Sequence, residues 1–257
     1  MDTNRVLNAA TKAGTIMLEN GGETYRVEET MIRIALALGV KSIDVYATPT
    51  VIILSAKDDN YRNHSTLQRT YGISFNLDKI SKINHLSRSI EMKHLNIDDL
   101  EMELAIIKQK KGYPDWLTTL ASAMAAGFFT LLFNGNIKDF FCALFIGSII
   151  KSTTIFLSKF NVYGFFINLV GGMEAAGIAL FLYKLNLCSH YDKAIIGSIM
   201  LLVPGLSITN AIRDTINGDL VSSVTRTMEA IFTAVAIAVG TGMMFKIWFG
   251  IFGGVNL

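Results

Sequence analysis

The sequence LLVPGLSITNAIRD at positions 201–214 decides how this chain is built. Its first residues suit an apolar helix that crosses a bilayer, but a break follows at Pro204-Gly205, and the residues after it include Asn, Arg and Asp. Proline removes one backbone hydrogen bond and clashes with the preceding helical turn. Inside a bilayer, the carbonyl groups freed in this way need protein, water or a ligand as partners. The break therefore predicts either a polar cavity within a membrane domain or a kink at the membrane surface.

Charged residues are distributed unevenly along the chain. Residues 1–115 contain 15 basic and 15 acidic side chains, whereas residues 116–257 contain 14 charged side chains among long apolar runs. This division predicts an α+β cytoplasmic domain at residues 1–112 and an all-α transmembrane domain of five helices at residues 113–257. Basic residues alternate with acidic ones and form no stripe, so no nucleic-acid partner is expected. Metal-ligand spacing and cofactor motifs are absent from the sequence, so we expect neither a metal nor a cofactor.

Five apolar segments predict the membrane crossings, and the fourth contains the break. They lie at about 116–133, 140–157, 163–183, 194–213 and 225–249, and each approaches the roughly 20 residues that a helix needs to cross a bilayer. The predicted cytoplasmic flanks carry six Lys and Arg residues and the outer flanks carry four. This bias favours a multi-pass protein of the cell membrane with its N-terminus in the cytoplasm. Five crossings would then place the C-terminus outside.

The first 112 residues carry the patterns of both helices and strands. Helices are predicted at 4–20 and 24–37, and two more between 78 and 107 with a division near Asn96. One or two strands are predicted at 42–56, interrupted at Pro49, with a partner strand at 67–76.

The motif GGETYRVEET at 21–30 is a dense group of charges in this domain. Glu23 is placed to reach Arg26 at i,i+3, and Glu28 and Glu29 lie within the same two helical turns. Acidic residues near the start of a helix are a common stabilising arrangement. The alternative is a functional acid/base cluster, and the residues alone leave both interpretations open.

The helix predicted after the break is polar on one face and apolar on the other. Asn210, Arg213, Asp214 and Asn217 recur at i, i+3, i+4 and i+7, and isoleucines occupy the opposite face. This helix either lines an aqueous vestibule that leads to the break or lies as an amphipathic helix at the cytoplasmic surface.

Polar residues also occur inside the apolar segments. Lys151 lies in the second segment and Glu174 in the third, at depths that allow an ion pair between antiparallel helices. An unpaired charge there costs at least about 2.5–3.5 kcal/mol, so a partner or a wet cavity is expected. Either the pair only fixes helix packing, or Glu174 takes up a proton when substrate leaves. Asn168 is placed to hydrogen-bond across a helix interface.

Two stretches of the chain resemble a known family. GGETYRVEETMIRIALALGV followed by ATPTVIIL is similar to the N-terminal motif of the threonine/serine exporter family, and LLVPGLSITNAIRDTINGDL resembles its second motif. The resemblance covers essentially the whole chain, although Gly22 stands where Ala is frequent and Val51 where Gly is frequent. It implies a soluble head, five spans, and a partner that is either a smaller membrane protein of related fold or a second copy of the chain.

The resemblance also assigns roles to residues. Its N-terminal motif comprises Glu23, Arg26, Glu28, Pro49 and Thr50. The implied function is export of threonine and serine, or of a dicarboxylate such as succinate, and the absence of an ATP-binding motif favours the proton gradient as the driving force. The candidate substrate-binding residues are Lys151, Asn168, Pro204, Gly205, Asn210, Arg213 and Asp214, and Glu174 is the candidate proton carrier. Two alternatives are a membrane-anchored hydrolase with Glu23, Arg26 and Glu28 as its centre, and a non-transporting assembly or sensor subunit.

Overall fold

A computed structural model describes residues 2–58, 61–72 and 74–253, and only the backbone of Glu91. The predicted outer position of the C-terminus therefore concerns residues outside the described part of the chain. The helices are α1 Thr3–Glu19, α2 Thr24–Ala37, α3 Leu77–Lys93, α4 Ile97–Gln109, α5 Asp115–Leu132, α6 Ile137–Lys159, α7 Gly164–Lys184, α8 Tyr191–Ile199, α9 Gly205–Ile216 and α10 Leu220–Phe252, and the strands are β1 Ser42–Thr48, β2 Val51–Lys57 and β3 Asn63–Arg69.

The chain folds into two compact units. The first comprises Met1–Gly112 together with Leu206–Met228, and we call it the head unit. The second comprises Tyr113–Gly205 together with Glu229–Leu257, and we call it the helical unit. The break at Pro204-Gly205 thus belongs to the helical unit, whereas the polar face that follows it belongs to the head unit.

The sheet of the head unit has the order β1-β2-β3, with both neighbouring pairs antiparallel. β1 and β2 form a hairpin that turns at Pro49-Thr50, as the interruption at Pro49 predicts. The partner strand predicted at 67–76 is wrong in position, because β3 ends at Arg69. Thr70 ends the strand: its N–H and its hydroxyl donate to the carbonyls of Thr50 and Pro49 at 3.1 and 2.8 Å.

The core of the head unit lies where helices α1 and α2 pack against this sheet. Ile52, Leu54 and Ala56 alternate along β2 and are buried in it, as side chains on one face of a strand must be. A Cβ atom added to Gly14 of α1 would lie 2.2 Å from the sulfur of Met31 in α2. The glycine therefore permits the close approach of these two helices.

The helical unit holds most of the apolar helix length. Four helices within the described residues are long and apolar enough to cross a membrane, namely α5, α6, α7 and α10, with mean hydropathies between 1.2 and 1.9. Helices α7 and α10 touch along their backbones. An added Cβ at Gly172 would lie 2.6 Å from the carbonyl oxygen of Ile237, and one at Gly240 would lie 2.1 Å from that of Leu169. The glycines at these two positions therefore allow close helix packing.

The fourth apolar segment is divided, as the sequence predicts. Helix α8 ends at Ile199 and α9 begins at Gly205, with Pro204 directly before it. Between them the chain turns tightly, and the N–H of Leu202 donates to the carbonyl of Ile199 at 2.8 Å. Neither α8 nor α9 has the length of a crossing. The fifth crossing predicted at 194–213 stays a prediction.

Candidate functional site

A carboxylate from α9 occupies the N-terminus of α2 in the head unit. Asp214 accepts hydrogen bonds from the backbone N–H of Thr24 at 3.2 Å and from its hydroxyl at 3.4 Å. Both residues are fully buried. Glu23, the residue before the helix, makes no side-chain cap of its own. Asp214 therefore satisfies an orphan N–H group and places negative charge at the positive end of the helix dipole.

Arg226, in the first turns of α10, neutralises this carboxylate. Its Nε atom lies 3.0 Å from an Asp214 oxygen, and its Nη2 atom donates to the carbonyl of Gly22 at 2.7 Å. Only 1% of the Arg226 side chain is exposed, so both charges have left water. Such a pair is tolerated only when close geometry and additional hydrogen bonds repay the desolvation, and here the extra bonds come from Gly22 and Thr24.

Glu23 forms a second charged link between α2 and α9. One carboxylate oxygen lies 3.0 Å from Arg26, and the other contacts Arg213. Burial by itself raises the pKa of Glu23, but the charge of Arg26 and the hydrogen bonds to Glu23 outweigh it and hold the pKa below its usual value. Beside this pair, Asn210 donates to the carbonyl of Gly21 at 2.9 Å. Sequence reasoning expected Glu23–Arg26 but gave no hint of the α9 partners.

A hydrogen bond to Glu28 connects α2 to the β1–β2 hairpin. Its carboxylate accepts the backbone N–H of Ala47 at 2.8 Å, near the end of β1 and two residues before Pro49. Burial raises the pKa of Glu28, and the nearby carboxylates of Asp219 and Asp214 raise it further, while the Ala47 bond opposes them. Glu23, Glu28, Asp214, Asp219, Arg26, Arg213 and Arg226 form what we call the charged cluster.

The charged cluster brings together the two motifs that are far apart in the sequence. Of the seven predicted substrate-binding residues, Arg213 and Asp214 lie in it and Asn210 lies beside it, and all three contact the N-terminal motif. The carbonyls of the turn residues Pro49 and Thr50 accept hydrogen bonds from Thr70. Of the predicted hydrolase centre, Glu23 and Glu28 make contacts that link elements of the head unit, and Arg26 pairs with Glu23 three residues before it.

The other predicted site residues lie in the helical unit. Glu174 accepts a hydrogen bond of 2.7 Å from the hydroxyl of Thr153, and its second oxygen is buried without a hydrogen-bond partner among the described residues. No ion pair joins Lys151 to Glu174 in this part of the chain, since Thr153 takes the expected position of the lysine. Lys151 and Asn168 are half-buried.

Thr153 was missed because hydroxyls are common along α6. Ser152 and Thr154, on either side of it, donate to carbonyls one turn earlier in their own helix, at 2.8 Å each. That is the usual arrangement for a helical Ser or Thr. Only Thr153 bonds across to another helix, and no sequence pattern separates it from its neighbours.

The break packs against both helices that make the Thr153–Glu174 contact. An added Cβ at Gly147 of α6 would lie 3.2 Å from a methyl of Leu201, and one at Gly171 of α7 would lie 2.8 Å from a methyl of Leu202. Because α6 and α7 run antiparallel with Thr153 opposite Glu174, these two glycines lie on either side of the contact, about 9 Å and about 5 Å along the helices. The broken segment therefore faces the stretch that holds the buried carboxyl.

Space is open beside the α-carbon of Gly205. A Cβ atom added there would meet no atom within 4 Å. The N–H of Gly205, the first residue of α9, donates to the carbonyl of Val203 at 2.9 Å, whereas the N–H groups that follow it in the first turn have no partner within the helix. The positive end of a helix dipole, open on one side, is a favourable place for a carboxylate.

A second buried aspartate was not recognised from the sequence. Asp139 of α6 accepts the backbone N–H groups of Ser189 and His190 at 2.7 and 2.8 Å, and its other oxygen lies 2.8 Å from the His190 ring. It also completes a capping box with Asn136. The capping pattern Asn-x-x-Asp in NGNIKD was the available signal. Asp139 anchors the start of α8, and all its contacts serve the fold.

Apolar helices of membrane-crossing length, a break that packs against two of them and a buried carboxyl on one of these are features typical of a membrane transporter. Residues 8–248 match the family model described as "Putative threonine/serine exporter", and the chain belongs to this family. No solved structure matches the chain.

Curated relatives of two kinds are similar to this chain. The "Probable succinate transporter subunit YjjP" of Escherichia coli is 24% identical over 92% of each chain, and that of Klebsiella aerogenes is 24% identical over 90% of each. The "Threonine/serine exporter" of Corynebacterium glutamicum is 26% identical over 93% of this chain but only 50% of its own length. The family is one of transporters, and the hydrolase alternative is not favoured.

Proposed function

We propose that this chain is a subunit of a proton-driven exporter for a small metabolite that carries a carboxylate, either threonine and serine or a dicarboxylate such as succinate. The observation that carries the proposal is the packing of the break against the two helices that carry Thr153 and Glu174. Leu201 and Leu202 pack against Gly147 and Gly171, on the two helices that hold the buried carboxyl. An intramembrane carboxyl beside a discontinuous helix is the usual composition of a transporter's midplane site.

The substrate carboxylate binds at the start of α9. The N–H groups that follow Gly205 in the first turn supply donors and the positive end of the helix dipole, and the open space beside the Gly205 α-carbon admits the ligand. Lys151, half-buried on α6, supplies the positive charge, and Asn168 supplies a further hydrogen-bonding group. Glu174 carries the proton, because one of its oxygens has no fixed partner among the described residues.

The charged cluster couples the head unit to substrate binding at the break. It binds the polar face of α9 through Arg213 and Asp214, the bond from Asn210 to Gly21 adds to this contact, and α9 begins at the break. In this proposal residues 1–112 form the cytoplasmic domain, residues 113–257 form the membrane domain, and α8 with α9 makes the fifth crossing, so that the C-terminus lies outside. A change at the break is then transmitted to the head through one helix of 12 residues.

A second polypeptide completes the pathway. The threonine/serine exporters of Corynebacterium glutamicum and Mycobacterium tuberculosis have about twice the aligned length, since the match covers 50% and 46% of those chains. The relatives matched over nearly their full length are named as subunits. The partner is a smaller membrane protein of related fold or a second copy of this chain.

Efflux from cells preloaded with labelled threonine or labelled succinate tests the proposal. The chain is expressed alone and with its genomic neighbour, and each sample is repeated with an uncoupler. We expect efflux of one of these compounds that requires the pair and collapses with the uncoupler. Lys151→Met should abolish it, whereas Lys159→Met, at the exposed end of the same helix, should not. Efflux that persists in Lys151→Met at the parental rate would remove that residue from the site, and the absence of efflux of both compounds would refute the proposed substrates.

A further inference from the structure

Lysines from two helices of the head unit form a patch just before the first apolar helix. The patch, which we call the basic patch, comprises Lys79 and Lys82 of α3 and Lys108, Lys110 and Lys111 at the end of α4. Contacts join the two groups. Lys79 donates to the carbonyl of Lys108 at 3.0 Å, and the ammonium of Lys110 lies 2.8 Å from Asp78.

Positive charge exceeds negative charge in this patch. Asp78 is the only acidic residue among residues 77–82 and 108–112. Its carboxylate forms ion pairs with two ammonium groups, that of Lys110 at 2.8 Å and that of Lys82 at 3.6 Å. The nearness of the Lys110 ammonium lowers the pKa of Lys82. Like charges that crowd around one carboxylate are stabilised by a further anion, because it relieves their mutual repulsion.

Two lysines of the basic patch line an open cleft that has room for such an anion. The cleft lies between α3 and α4 and has a volume of about 800 Å³. Lys82 and Lys110 line it together with Lys93, His85 and Ser81, which add further hydrogen-bond donors. Glu103 is the other acidic side chain of the lining besides Asp78. The donors and the excess charge suit a phosphate group.

The position in the chain identifies the source of that phosphate. Lys111 is followed after three residues by Asp115, the first residue of α5, which is long and apolar enough to cross a membrane. The extended chain spans at most about 14 Å over this distance. Tyr113 and Trp116, 76% and 67% exposed, flank the entry to the helix. Aromatic side chains in such positions are typical of the bilayer boundary. We propose that the basic patch binds the phosphate headgroups of anionic lipids.

Lipid binding by the full-length protein in neutral detergent tests the proposal. Spin-labelled phosphatidylglycerol and phosphatidylcholine are titrated, and the motionally restricted fraction is measured. The variant Lys82→Gln/Lys111→Gln leaves the Lys110–Asp78 pair intact, and Lys12→Gln/Lys57→Gln removes two lysines elsewhere in the head unit as a matched control. We expect the affinity for phosphatidylglycerol to fall about fivefold for each lysine of the patch. Phosphatidylcholine binding should not change, and Lys82→Arg/Lys111→Arg should restore the loss.

Two results would overturn the proposal. If both double variants weaken phosphatidylglycerol binding equally, the effect is one of net charge and the patch has no special role. If inorganic phosphate at millimolar concentration displaces the lipid from the parental protein, the cleft is a site for a soluble anion. Persistence of the phosphatidylglycerol signal against inorganic phosphate, together with its loss in the patch variant alone, supports the lipid headgroup.

Discussion

The head unit and the helical unit each bury a helical carboxylate, but they surround it differently. Asp214 accepts hydrogen bonds from the N–H and the hydroxyl of Thr24 and forms an ion pair with Arg226. Glu174 accepts a single hydrogen bond, from the hydroxyl of Thr153, and its second oxygen has no hydrogen-bond partner among the described residues. Asp139 shows that the helical unit can also satisfy a buried carboxylate completely. Glu174 is therefore an exception within its own unit.

This difference separates a structural carboxylate from one suited to chemistry. A buried carboxylate with a guanidinium and several donors is held in one arrangement, because the loss of its partner leaves a buried charge without a counter-charge. A buried carboxyl with a single donor lacks that constraint, and it can lose or gain a proton as its surroundings change. The charged cluster thus fixes α9 on α2, while the Glu174 site is left adjustable.

The largest effect is expected from removing the adjustable carboxyl. Glu174→Gln keeps the shape and a hydrogen-bonding oxygen for Thr153 but cannot carry a proton. Net efflux driven by the gradient should fall to background, while exchange of labelled for unlabelled substrate in reconstituted vesicles should persist. Parental rates of net efflux in a correctly inserted Glu174→Gln protein would exclude Glu174 as the proton carrier.

Breaking the fixed pair should mainly cost stability. Arg226→Met leaves Asp214 buried without its counter-charge, and we expect the free energy of unfolding to fall by about 3–5 kcal/mol. Urea unfolding of the detergent-solubilised protein, followed by circular dichroism, measures this loss. Arg33→Met, which removes only the exposed pair with Glu29, should cost less than about 1 kcal/mol.

A double variant separates the charge from the packing of Arg226. Asp214→Asn/Arg226→Met removes both charges, so it should recover part of the stability that Arg226→Met loses. Equal stability of the single and double variants would mean that the loss comes from the packing of Arg226 and its bond to Gly22 instead.

The hydroxyl at Thr153 should have a smaller effect on transport. Thr153→Val removes the only hydrogen bond that Glu174 receives from the described residues, which is worth about 1 kcal/mol, or about fivefold in rate. Thr154→Val is the matched control, because its hydroxyl bonds to Ile150 of its own helix at 2.8 Å. Initial efflux rates compare the two, and equal rates would contradict a role for the Thr153–Glu174 contact.

The smallest effects concern the pH dependence of stability within the charged cluster. The pKa of Glu23 is lowered by folding, so Glu23 stabilises the fold above its unfolded pKa, and this contribution is lost as the pH falls through the folded pKa. The pKa of Glu28 is raised, so its contribution is present below the unfolded pKa and is lost as the pH rises through the folded pKa.

The two glutamates should therefore respond to amidation with opposite pH dependence. Relative to the parental protein, Glu23→Gln should be destabilised at neutral pH and approach parity in acid. Glu28→Gln should gain relative stability as the pH rises, because the glutamine retains an oxygen for the N–H of Ala47. Urea midpoints measured across the acidic range compare them, and the same sign of slope for both variants would refute this assignment.

Local features could be predicted from the sequence because they depend on neighbouring residues. Glycines at 21, 22 and 39 mark the limits of α2, and the helix predicted at 24–37 is confirmed as Thr24–Ala37. Pro204 fixes the break for the same reason. The strand β3 was misplaced because its residues are mostly polar and exposed, so alternation gave no clear signal over Asn63–Arg69.

The partners of the site residues could not be predicted, because they depend on contacts between distant parts of the chain. Thr24 and Asp214 are 190 positions apart. Helical spacing correctly placed Asn210, Arg213 and Asp214 on one face, but a spacing does not say what the face contacts. The same limit applies to Glu174. Charge complementarity predicted Lys151 as its partner, whereas in the structure Glu174 accepts a hydrogen bond from Thr153.

Helix α10 is one uninterrupted rod of 33 residues, with Arg226 near its start and Gly240 in contact with the backbone at Leu169. A second contact, between Gly172 and Ile237, lies three residues away on each helix, or about 4.5 Å. Each helix contributes one glycine and receives a carbonyl of the other, so the two contacts fix the axial register of α7 on α10. Sliding of one helix along the other would first require their separation.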